Sequence, residues 1–91
     1  MNKQVRAELA TIINGLESCK DEIESLKDNV ENIQCDQDDI LNNIPENLQA
    51  SERYDRQETA VESLSDAVSE LDDIVASLEK AIDGIQNAID A

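Results

Sequence analysis

"NNIPENLQASERYDRQ", residues 42–57, holds the only proline of the 91-residue chain, its only aromatic residue and two of its seven basic residues. On either side of it one pattern repeats. Before it, apolar residues recur in alternating steps of three and four from Val5 through Leu9, Ile12, Leu16, Cys19, Ile23, Leu26, Val30, Ile33, Gln37 and Ile40 to Ile44, with Gln37 the one polar member. After it, the same rule runs through Tyr54, Gln57, Val61, Leu64, Val68, Leu71, Val75, Leu78, Ile82, Ile85 and Ile89, again with one polar member, Gln57. A 3.5-residue period sustained this long marks helices that pack along a seam. Ile13 and Leu41 widen the first stripe near its ends.

Proline sets the boundary. The residue before a proline is pushed out of helical geometry, so Ile44 ends the first helix near Asn43 and Pro45 opens a short turn, with Asn42 or Asn43 to cap it. Ser51 is the natural N-cap of the second helix. The spacing therefore predicts one domain, residues 1–91, with helices over about 3–43 and 52–90 and a loop at 44–51. A connection this short makes the helices antiparallel neighbours, each about 55 to 60 Å long. The fold class is all-α, a coiled-coil-like helical hairpin.

The charges test the register. If Ile44 meets Tyr54, then Leu26 meets Leu71, Leu16 meets Ile82 and Leu9 meets Ile89. Lys20 then falls opposite Glu79 and Lys27 opposite Asp72, which pairs two of the few bases with acids. On the other flank the second helix carries Arg53 followed by Ala60, Ala67, Ile74, Ala81 and Ala88, facing mostly polar positions of the first helix. Gly15 opposite Ala81 leaves room for close backbone approach. Three apolar columns on one helix exceed what a single neighbour covers, and an isolated hairpin of this size is marginal. Ala60, Ala67, Ile74, Ala81 and Ala88 are thus expected to form an oligomer interface, most simply in a symmetric dimer that makes a four-helix bundle, with larger helical oligomers open.

Composition narrows the function. With 22 acidic and 7 basic residues the formal charge is -15, which disfavours direct contact with nucleic acid or anionic membranes and favours basic protein partners. The same charge also serves simply to keep helical faces soluble. No apolar run approaches the length of a membrane span, Arg6 and Glu8 interrupt anything resembling a signal peptide, and a soluble cytoplasmic protein is expected. The absence of histidine removes the usual general base and the commonest metal ligand. No nucleophile has a base beside it and no phosphate-binding glycine loop is present, so the chain does not read as an enzyme. Asp36, Asp38 and Asp39 cluster, but counted from Asp36 the sixth and twelfth places of a calcium loop hold Leu41 and Asn47. No metal or other cofactor is implied. The two cysteines lie about 24 Å apart along one helix and cannot bond within a hairpin. Cys19 is placed on the packed stripe and Cys35 outward.

The exception is the start of the second helix. Ser51, Arg53, Tyr54 and Arg56 bring two guanidinium groups and one ring to a helix N-terminus, where free N–H groups favour anions. That is the equipment of a site for an anion or a small nucleotide ligand. Equally, Tyr54 plugs the end of the seam opposite Ile44, and Arg53 and Arg56 neutralise Glu46, Glu52, Asp55 or Glu58.

The run Asn-x-Pro-Glu-Asn-Leu-Gln-x-Ser-Glu-Arg-Tyr, residues 43–54, resembles the connecting loop of small acidic helical-hairpin accessory proteins of Gram-positive phages and integrative elements. The resemblance covers twelve residues closely and the flanking helices only in character. It implies a mobile-element protein in a bacterial cytoplasm, of a kind that often counters host defence. Net charge, the surplus apolar column and the lack of catalytic groups make the leading expectation a non-enzymatic acidic inhibitor occupying the basic, nucleic-acid-binding surface of a host defence protein; the alternatives are an oligomeric sponge that sequesters an anionic nucleotide signal at Arg53, Tyr54 and Arg56, and a structural coiled-coil assembly protein.

Overall fold

The computed structural model describes residues 1–91 as two long helices joined by one helical turn. Helix α1 spans Lys3–Asn42, a 3-10 turn covers Glu46–Leu48, and α2 spans Glu52–Asp90. The helices pack antiparallel into a rod of 70 × 15 × 14 Å.

Side chains near each end explain the boundaries. The Val5 backbone N–H donates to Asn2 Oδ1 at 2.8 Å, and the Tyr54 N–H donates to Ser51 Oγ at 3.2 Å. The two caps satisfy N–H groups that each first turn leaves without an intrahelical partner. At the other end of α1, Asn43 closes the helix through its backbone, with its N–H shared between the carbonyls of Asp39 and Ile40. Neither Asn42 nor Asn43 caps the turn that follows; Pro45 occupies that position without any side-chain hydrogen bond. Pro45 supplies its carbonyl instead, accepting from the Leu48 N–H at 2.9 Å, and so most of the loop at 44–51 is wound rather than extended.

The register matches the charge argument. Lys20 Nζ lies 3.8 Å from Glu79 Oε1 and Lys27 Nζ lies 2.7 Å from Asp72 Oδ1. The hydrogen bond to Asp72 raises the Lys27 pKa above its ordinary value of 10.5. A raised lysine favours the folded state below the ordinary value and loses that contribution as pH rises through the new one, so this pair is intact at neutral pH. The two polar breaks in the apolar pattern also find each other, since Gln57 Nε2 donates to the Gln37 carbonyl at 2.9 Å and to Gln37 Oε1 at 3.0 Å.

The roll of α1 about its own axis differs from the sequence expectation. Residues seven apart fall in one column along a helix, and each column takes the name of one of its members. The Leu9 column (Leu9, Leu16, Ile23, Val30, Gln37, Ile44) packs inward as expected, but its companion is the Arg6 column (Arg6, Ile13, Lys20, Lys27, Gln34, Leu41). The Val5 column was expected inside, and it is outside: Val5, Ile12, Leu26, Ile33 and Ile40 are between 36% and 54% exposed. Cys19 shares that column and is exposed, not buried, as is Cys35. The helix is thus turned by about 50°, one column of seven. Ile13 and Leu41 drive the roll, with Ile13 the most buried residue of the chain, while Lys20 and Lys27 lay their stems across the seam and reach acids at its edge. The roll also carries Gly15 away from α2, and a Cβ at Gly15 would meet nothing within 4 Å; it does not serve close approach to Ala81.

Only Ile13, Val61 and Val75 are buried, so the seam is narrow and each polar break in it costs apolar contact. Replacing both members of the glutamine pair, Gln37→Leu with Gln57→Leu, should raise stability by about 1 to 3 kcal/mol. Gln57→Leu alone should gain less, because it leaves the half-buried Gln37 amide without its partner. Urea unfolding followed by circular dichroism reads both outcomes.

Candidate functional site

The loop end of the rod is where residue types other than helix formers gather. Ser51 is fully engaged in holding the turn: its Oγ accepts from the Tyr54 N–H and its hydroxyl donates to the Leu48 carbonyl at 2.6 Å. A second contact ties the loop down, from Gln49 Nε2 to the Ile44 carbonyl at 3.4 Å. These bonds fix the path of the chain from Ile44 to Tyr54 and with it the shape of the surface between them.

That surface is a concavity of about 290 Å³ lined by Ile44, Leu48, Ser51, Arg53 and Tyr54. Ile44 and the half-buried Tyr54 close the top of the seam. Leu48 is 50% exposed and forms an apolar wall because the 3-10 turn brings it back over Ile44. The result is an apolar hollow with one ring, one hydroxyl and one guanidinium at its rim, a combination suited to a small ligand with a flat face and a negative group.

Of the sequence-predicted residues, the structure brings Ser51, Arg53 and Tyr54 together and sets Arg56 apart. Arg56 is one turn further along α2, where its guanidinium pairs with Glu52 in an i, i+4 bridge. A separate shallow depression contains both, together with Asp55 and Thr59. Arg53 takes part in none of the three ion pairs of the chain. Glu52 and Asp55 place two carboxylates in the first turn of α2, so the helix dipole is already answered in part by the protein's own anions. Ile44 and Leu48 escaped the sequence reading as site residues. The available signal was Leu48 itself, an apolar side chain in an otherwise polar loop.

A groove of about 320 Å³ on the outer side of α2 runs past Glu70, Asp73, Ile74, Ser77 and Leu78, similar in volume but more open to solvent than the loop-end hollow. No three histidine, cysteine or acidic side chains gather where they could hold a metal ion. Neither helix is long and apolar enough to cross a membrane.

No family model, curated protein or solved structure matches the chain.

Ser51 bonds on both sides of the loop, so Ser51→Ala should destabilise the hairpin by about 0.5 to 2 kcal/mol, whereas Ser51→Asp, which retains the cap acceptor, should lose less. Thermal melts of the two variants at equal ionic strength check this.

Proposed function

We propose that the chain is a non-enzymatic binding protein that captures a small anionic ligand of the nucleotide class in the loop-end concavity. The observation that supports this reading is Arg53, a guanidinium with no acid partner, set beside Tyr54 over an apolar floor. A base would stack on the ring while the guanidinium takes the phosphate. The resemblance of residues 43–54 to the loop of mobile-element hairpin proteins supplies a setting, in which a protein of this kind sequesters a host signal without altering it.

The different positions of the two arginines make the proposal specific. With mono-, tri- and dinucleotides as probes in equilibrium dialysis, Arg53→Ala should weaken binding by roughly ten- to a hundredfold, and Arg56→Ala, which removes only the bridge to Glu52, should leave it within a few-fold. Equal losses in both variants, or no nucleotide bound by the parent chain, would remove the idea.

A second reading rests on how the acids are distributed. Glu17, Glu24, Glu31 and Asp38 recur every seven residues along α1, on the side of the rod where Lys20 and Lys27 meet Glu79 and Asp72. Glu58, Asp72 and Glu79 line the same side from α2. In this reading that acidic side docks on a basic, nucleic-acid-binding surface of a host protein. Binding of the chain to a basic test protein should then fall steeply with salt and be largely abolished by Glu24→Lys with Glu31→Lys. A salt-independent affinity counts against it.

A further inference from the structure

We infer that the apolar side of the hairpin, opposite the acidic one, is covered by another copy of this chain. The ion pairs establish which side is which. Lys20 and Lys27 belong to the Arg6 column of α1, and they reach residues of α2 that flank the Tyr54 column. In an antiparallel pair, the outer columns on the opposite side must then be the Val5 column of α1 and the Ala60 column of α2. They lie next to each other along the rod. The roll of α1 therefore adds a row of large side chains to the alanine row of α2, including Ile12, Leu26, Ile33 and Ile40, each 50% exposed or more, with Ile74 at 45% on the α2 side.

Charge says what does not cover this side. Of the 22 acids, none lies in the Val5, Leu9 or Arg6 columns of α1 or in the Tyr54, Gln57 or Ala60 columns of α2. A basic protein or a polycation finds nothing there to pair with. A copy of the same chain brings an equally acid-free surface, charged only at Arg53 by the loop, and two such surfaces meet with no carboxylate of these columns between them.

Area says how much must be covered. A compact monomer of 10.1 kDa exposes about 5,300 Å² by the usual scaling of surface with mass. This chain exposes 6503 Å², an excess of about 1,200 Å² over that scaling. Permanent homodimers bury about 1,000 to 2,500 Å² per subunit. The surplus is of the size that one such interface removes, and covering it adds to a seam in which only three residues are buried. The smallest closed assembly is a four-helix bundle of two hairpins.

The two cysteines report on the interface without any label being introduced. Cys19 lies in the Val5 column and Cys35 points away from it, and both are exposed in the single chain. Light scattering of the full chain at micromolar concentration in physiological salt should give at least twice 10.1 kDa. Added salt should tighten the assembly, because it screens like charges, the reverse of its effect on a basic partner. Thiol titration should find Cys19 slower than Cys35 by on the order of tenfold or more. Leu26→Glu with Ile33→Glu, two positions outside the hairpin seam, should halve the mass or reduce it further to that of a monomer, keep the helical circular dichroism of a folded hairpin, and bring the Cys19 rate up to that of Cys35. A parent chain of monomer mass, a double variant that remains assembled, or equal thiol rates in the assembled parent would each overturn the inference, the first of them leaving this side to a different protein.

Discussion

Two helices can shield only one sector of each other, and the whole surface of this protein follows from which sector α1 gives up. Its apolar arc is three columns wide at the ends and two in the middle, so the seam cannot take all of it. Ile13, Leu41 and the stems of Lys20 and Lys27 draw the Arg6 column inward, and the Val5 column is turned out as a result. The ion pairs are weak in themselves where water reaches them. Their effect is geometric, because a lysine in the seam column has to emerge on one side, and the side it chooses becomes the charged one. A polar side, an uncharged side and two helix ends are then assigned by a single rotation.

Much of this was legible in the residues. The 3.5-residue period located both helices, Pro45 and Ser51 located the turn, and the opposition of Lys20 to Glu79 and Lys27 to Asp72 located the register. Each of these is a local or pairwise constraint that a linear sequence displays directly. The roll of α1 is not of that kind. Periodicity gives the direction of the apolar stripe, but a stripe broader than one neighbour leaves a choice, and the choice depends on packing summed along about 60 Å of helix. Gly15 and Cys19 were misplaced for the same reason, both being one column away from where a symmetric seam would have put them.

At the loop the limits were different. Ser51, Arg53, Tyr54 and Arg56 are adjacent in sequence, and adjacency suggested a single cluster. Helical geometry separates them, since Arg56 is carried round the axis to Glu52 while Arg53 and Tyr54 remain over the turn. The apolar floor that makes the remaining residues a hollow comes from Ile44 and Leu48, whose approach depends on the 3-10 turn and could not be read from spacing alone. The proposed activities use different parts of the molecule, that small structure and the two long sides of the rod.

The Gln37–Gln57 pair divides the hairpin unequally. Beyond it toward the loop lie only Leu41, Ile44 and Tyr54 of the seam; below it lies the whole shaft. A polar joint held by two hydrogen bonds separates two stretches of apolar contact, and only the short one adjoins the hollow between Leu48 and Tyr54. The tip is thus held chiefly by the bonds of Gln49 and Ser51, the stem by apolar packing and two ion pairs between the helices.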